Sequence, residues 1–271
     1  MRGPFSFIIA LFFVSAAFAQ KLSNKQETSL WAPANVKVDG KLNEWDGTFK
    51  AHNSATDLFY TIANDDKNLY LVFHTNDALN IFNKITRGGL TIVFKSGKQT
   101  QSISYPYYLR KDIPDLKQVS PREIYPPGTT PERFQDSVNK VNNLRLATAG
   151  KEIAITGFKG LDSLISVYNE YGIKAAGSFD GKPGYTCEMV IPLKYLLFDQ
   201  AKNSISFQVI VNGGSNKYIP DKAVIFDIVS PDGTHAPKEE VERVENAVNV
   251  SKMARYATTD FTGEYILAKK P

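Results

Sequence analysis

The chain has 271 residues, a formal charge of +4 at pH 7, one cysteine and three histidines. So small and dispersed a charge excludes a nucleic-acid footprint, and a single cysteine excludes an internal disulfide or a thiolate metal cluster. A chain of this length can bury a core that needs no covalent staple.

The N-terminus reads MRGPFSFIIALFFVSAAFAQ, with Arg2 ahead of an apolar run from Phe5 to Val14 and Ala17-Phe18-Ala19 before Gln20. That is the pattern of a secretory signal peptide, residues 1–19. The apolar run is shorter than the roughly 20 residues a bilayer span requires. Export to the periplasm or the extracellular space is therefore expected, with no transmembrane span in the mature chain. Residues 20–35 are polar and read as a flexible lead-in, and residues 36–271 as one β-sandwich.

From Leu58 the chain breaks into short β-branched and aromatic runs. LFYTIAN and LYLVFHTND flank the turn DDKN and read as a hairpin. In the second run Leu69, Leu71 and Phe73 share one face, with Tyr70, Val72 and His74 on the other. LTIVFK and SISYPYYLR follow around SGKQ, and Pro106 favours a strand end, a bulge or an edge. Alternation in the second run places Tyr105 and Tyr107 on one face.

Residues 111–143 carry five prolines among charges, a density that breaks regular structure. They read as a surface insertion, with a helical turn at PERFQDSVNKV. Strand signals resume at NNLRLAT and EIAITGF; GLDSLISVYNEYG reads equally as helix or strand. GSFDGKPGY is a hairpin turn leading into GYTCEMVIPLKYLL, where Cys187 reads as a small buried hydrophobe. ISFQVIVNGG is a further strand, the segment after Pro237 a short C-terminal helix, and GEYILAKK the last strand. Many short strands and few helices predict an all-β fold. Specifically, a single antiparallel immunoglobulin-like or jelly-roll β-sandwich is expected, with a proline-rich insertion and a short C-terminal helix.

VDGKLNEWDG, at Val38 to Gly47, concentrates Asp39, Glu44, Asp46, two glycines and one of the two tryptophans before the first hairpin. Gly40 suits a turn with positive φ, Asp39 can bond its own backbone, and Trp45 is expected to plug one end of the sandwich. The order of four motifs then matters: Asp39-Gly40 with Glu44 and Trp45; Leu69 to Phe73 with Asp77; Tyr185 to Leu193; and Val211-Asn212. This order resembles the family 9 carbohydrate-binding module, a DOMON-like β-sandwich of exported bacterial proteins. The resemblance implies a non-catalytic saccharide-binding protein. It also implies a ligand held between two aromatic rings, with polar side chains reading the hydroxyls. Here Phe82 stands where the family pattern has a tryptophan, and Gly88 and Gly89 replace acidic residues. The ring before GEYIL is Tyr256 or Phe261.

The candidate ligand residues are Tyr105 and Tyr107 as platforms, with Arg110 and Asn212 reading hydroxyls and Phe82 as the remaining ring. Two other readings stand beside saccharide binding. One is a structural or protein-interaction component of a bacterial envelope complex that has lost the sugar site. The other is an accessory domain in carbohydrate catabolism, linked to a glycosidase. No nucleophile, base and oxyanion site are assembled, so catalysis is not expected. His52, His74 and His235 lack metal-ligand spacing. Calcium is the one cation that the loop carboxylates Asp39, Asp46, Asp65, Asp66 and Asp77 suit, without an EF-hand pattern.

Overall fold

Period-two alternation folds short segments of the chain into two antiparallel sheets. They are seen in a computed structural model that describes residues 22–109, 112–120, 122–181, 184–214 and 233–271. The expected signal peptide, Arg110, and residues 182 and 183 of the expected hairpin turn lie outside the described residues.

The strands are β1 (Ala51–Asn53), β2 (Leu58–Asn64), β3 (Asn68–Thr75), β4 (Leu90–Ser96), β5 (Gln99–Tyr107) and β6 (Glu152–Thr156). They continue with β7 (Leu164–Ser166), β8 (Lys174–Phe179), β9 (Tyr185–Pro192), β10 (Ser204–Val211) and β11 (Thr259–Ile266). One sheet has the order β1-β2-β3-β9-β8 and the other β11-β10-β4-β5-β6-β7. The protein is thus a mostly-β sandwich with few helices. Leu58, Tyr60, Ile62, Leu71, Phe73 and Met189 of the first sheet share one core with Leu90, Ile92, Ile103, Ile155, Phe207 and Val209 of the second. Leu69, Leu71 and Phe73 do share the inward face, as period two dictates. Cys187 is fully buried in that core.

Both edges of the first sheet are closed by amide side chains that imitate a neighbouring strand. β1 pairs β2 only from Leu58 to Tyr60, which leaves the rest of β2 open. There Gln26 accepts from the Ile62 amide and donates to the Ile62 carbonyl, both at 2.8 Å. Ala32 N then donates to Asn64 O, while Asn64 N donates to Leu30 O. The lead-in expected to be flexible is therefore stitched along β2. At the other edge, Asn143 accepts from the Phe179 amide at 2.7 Å and donates to its carbonyl at 2.9 Å. Unpaired edges template aggregation, and covering them with side chains is one remedy.

Asn143 belongs to α2 (Pro131–Ala149), which follows the single helical turn α1 (Thr86–Gly88). Helix α2 corrects two expectations. The PERFQDSVNKV turn is the start of a 19-residue helix, and NNLRLAT is its second half rather than a strand. Leu-x-Leu spacing imitated a strand, but Val138, Asn142 and Leu146 repeat every four residues and form the buried face. Pro131 opens the helix behind Thr130, whose hydroxyl accepts from Arg133 N. Asn142 bonds both backbone groups of Lys117, tying down the extended part of the insertion. The C-terminal helix α3 (Lys238–Tyr256) is also longer than expected, at 19 residues.

Trp45 does not plug an end of the sandwich. It lies on the outer face of the first sheet, packed with Ala32, Ala63 and Val72 and edge-on to Tyr70 at 6.2 Å. The reason is Glu188, a buried carboxylate on the outward side of β9. Trp45 Nε1 donates to Glu188 Oε1 at 2.8 Å, and the Asp39 and Gly40 amides donate to Oε2 at 2.9 and 2.8 Å. Gly40 has φ +76°, and a Cβ there would stand 2.7 Å from Ser178 N, so only glycine fits. The opening turn is thus a clasp on β9, which is buried on both faces over its whole length.

Candidate functional site: a cleft walled by Tyr168

The clasp also builds one wall of a cleft. Val38 and Asp39 face the start of β8 across a cavity of about 520 Å³. Lys174 to Gly177 of β8 line one side, and Val167, Tyr168 and Asn169 the other. Tyr105 and Gly150, just past the end of α2, form the floor.

Tyr168 is the exposed ring of this cleft, with 79% of its surface accessible. Its loop is held rigidly. Asn169 Nδ2 donates to Ser166 O and Ile173 O, both at 2.6 Å, and Asn169 Oδ1 accepts from Tyr171 N. Ser166 Oγ accepts from the Tyr168 amide itself. An aromatic side chain on a pinned loop gives flat contact area at little ordering cost. Polar groups stand around it: the Lys174 ammonium, the Asp39 carboxylate and the Asn169 amide. Asp39 Oδ1 already accepts from Lys41 N at 3.0 Å, leaving Oδ2 toward Lys41 Nζ at 3.9 Å.

The floor is phenolic. Tyr105 is only 6% exposed, and its hydroxyl donates to Gly150 O at 3.4 Å. Burial holds Tyr105 well above the ordinary phenol range, with nearby Cys187 adding to the effect and a Gly177 backbone hydrogen bond opposing it. Tyr185 lies behind, fully buried and likewise raised by burial, and its hydroxyl has no hydrogen-bond partner among the described residues. It crowds Gly177, where a Cβ would meet it at 1.9 Å. Both phenols keep their protons at any physiological pH and so remain hydrogen-bond donors.

Of the five residues singled out in the sequence, the four that are described are not gathered in one place; Arg110 lies outside the described residues. Tyr105 lies in the cleft as floor rather than platform. The β5–β6 register shifts between Ser104 and Tyr107, so strict alternation fails and Tyr107 turns outward. It lines a smaller cleft of about 350 Å³ with Lys151 and Glu152. Phe82 stacks on Phe179 at 5.6 Å, beside an enclosed cavity of about 60 Å³ that Gln118, Val119 and Gln135 of the insertion also line. Asn212 spends its amide on Gly88 O at 2.9 Å and Thr91 Oγ1 at 2.8 Å. Tyr168 was missed because its loop had no decisive periodicity. A tyrosine beside Asn and Glu in a turn was the available signal.

The loop carboxylates are occupied with local structure. Asp65 accepts from Lys67 N, Asn68 N and the Tyr70 hydroxyl, and Asp77 accepts from Leu79 N and Asn80 N. Among the described residues no three His, Cys, Asp or Glu side chains converge on a metal position. Asp39 is the one carboxylate among the described residues lining the cleft, so a carboxylate pair for glycoside cleavage is not assembled there. Among the described residues no helix is long and apolar enough to cross a membrane.

Fold and site together define a β-sandwich with an open, aromatic-walled, polar cleft. No family model matches the chain, and no curated protein matches it. Among solved structures it is similar to a carbohydrate binding module family 9 (CBM9) from Caldicellulosiruptor kristjanssonii in complex with glucose. Identity is 10%, the match covers 90% of this chain and 96% of that chain, and the TM-score is 0.35.

Proposed function

We propose that the protein is an exported, non-catalytic carbohydrate-binding protein that takes a small saccharide in the Tyr168 cleft. The observation that carries this reading is an exposed ring on a pinned loop, in a cleft that the Lys174 ammonium and the Asp39 carboxylate also line. A pyranose offers an apolar face to such a ring while its rim hydroxyls need donors and acceptors. The ordered motifs from Asp39 to Asn212, which resemble the family 9 module, support the same class. Tyr105 serves as the floor under the ligand, and Tyr107, Phe82 and Asn212, which do not line this cleft, take no part in the reading. Export rests on the signal-peptide pattern, and an N-terminus at Gln20 in protein recovered from its host tests that part.

The binding test is a neutral-glycan array followed by titration calorimetry on the mature chain. The best array ligand should lose on the order of tenfold or more in affinity on Tyr168→Ala, since aromatic anchors dominate small sites. The variant should melt like the wild type, because an exposed ring contributes little to stability. Silence across the array, or unchanged binding by Tyr168→Ala, would defeat the reading.

A further inference from the structure

A second cleft, sharing no lining residue with the first, lies where β2 turns into β3, β9 and β11 end and β10 begins. Its volume is about 650 Å³, and Trp31 and Phe198 supply its rings. Trp31 is pinned by the backbone on both sides, through Ala32 N to Asn64 O at 2.8 Å and Asn64 N to Leu30 O at 3.1 Å. Trp31 is partly exposed. The side-chain amides of Gln200 and Asn203, both exposed, line the same cleft.

The charges around this cleft are unbalanced. Lys194, Lys269 and Lys270 line it, and none has a carboxylate partner among the described residues; the Lys194 ammonium lies 4.8 Å over the Tyr195 ring. Of the two facing carboxylates, Asp65 is committed to the β2–β3 turn and to the Tyr70 hydroxyl. Asp65 and Asp66 together oppose three ammonium groups, which leaves the lining with positive charge in excess.

We infer that this cleft is a second binding site, for a saccharide that carries carboxylates. Trp31 gives a sugar ring its apolar contact and a donor, Gln200 and Asn203 read hydroxyls, and the lysines pair with uronate carboxylates. Because the lysines are exposed, their attraction is screened by salt, and affinity falls as ionic strength rises. This inference is independent of the reading of the Tyr168 cleft.

The experiment is titration calorimetry of the mature chain with a tetra-galacturonate and with the same oligosaccharide methyl-esterified. The free acid should bind, weaken with added salt, and bind about tenfold more tightly than the ester. Trp31→Ala and the double variant Lys269→Gln/Lys270→Gln should each weaken the free acid by about tenfold, whereas Tyr168→Ala should leave it unchanged. The lysine variant touches no buried group, so it keeps the test valid should Trp31→Ala misfold. The inference is overturned by absence of binding, by equal binding of acid and ester, by full binding in the lysine variant, or by loss of binding in Tyr168→Ala. A neutral glycan lost on Tyr168→Ala would report on the first cleft alone.

Discussion

Glu188→Gln tests whether the opening turn is a clasp. Glu188 is 2% exposed, and all three of its partners are donors: the Trp45 indole and the Asp39 and Gly40 amides. Glutamine offers one oxygen and one NH2, so at least one donor must face another donor. If the oxygen keeps the two amides, the Trp45 N–H is orphaned. A bond to a charged group contributes about 1.5–3 kcal/mol and a buried orphan costs about 1–3 kcal/mol. Removing a desolvated charge returns part of this, leaving a loss of about 2–4 kcal/mol. For a domain of this size that lowers Tm by roughly 5–12 °C, readable by scanning calorimetry and urea titration. Trp45→Phe deletes the orphaned donor, so in the Glu188→Gln background it should cost at least about 1 kcal/mol less than in the wild type. A Glu188→Gln loss below about 0.5 kcal/mol, with additive variants, would refute the clasp. The pH dependence has a definite sign. Burial is the largest influence on Glu188 and raises it above the ordinary 4.5, outweighing its three donors. As pH climbs from that ordinary value through the raised folded value, the unfolded chain has released a proton that the folded one still holds. Wild-type stability should therefore fall across that window relative to Glu188→Gln.

Two further outcomes follow from the edges and the core. Asn143→Ala removes both hydrogen bonds to Phe179 on the β8 edge and should destabilise by about 1–3 kcal/mol; hydrogen exchange should show the Phe179 amide deprotected before those of β3. Unchanged protection would mean that α2 covers the edge without Asn143. Cys187, whose thiol burial pushes far above the ordinary range with Glu188 adding to it, should resist alkylation in the native protein and react only at the rate of unfolding.

The strands were legible because one face of each sheet must be buried, which writes period two into the sequence. Leu69, Leu71 and Phe73 show this, as do Ile92 and Phe94. Helix α2 was legible only as a turn at PERFQDSVNKV, because its buried face is half asparagine. Val138 and Leu146 alone make too thin an apolar stripe, and NNLRLAT, with Asn142 and Asn143, read as a strand. The burial of these asparagines and of Asn139 follows from what they bond, which is backbone distant in sequence: Lys117, Phe179 and Asp180. Gln26 on Ile62 and Gln101 on Leu197 and Tyr195 act in the same way. A carboxamide carries one donor and one acceptor side by side and so imitates a strand edge. No local propensity records that role.

The site was legible in its chemistry and not in its geometry. Tyrosine richness in SISYPYYLR pointed to β5, and Tyr105 does reach the cleft. Whether a ring stands as a wall or lies as a floor depends on the bulge between Ser104 and Tyr107, and strict alternation cannot express an extra residue. The opening turn shows the opposite relation. Its glycine and tryptophan are structural, yet by binding Glu188 they hold Asp39 at the rim of the cleft. A turn that fixes the fold thereby also positions a polar group of the site. This sets the order in which damage should appear. On the proposed reading, loosening the clasp should lower stability and weaken saccharide binding through displacement of Asp39, whereas Tyr168→Ala should lower affinity by about tenfold or more while stability stays intact.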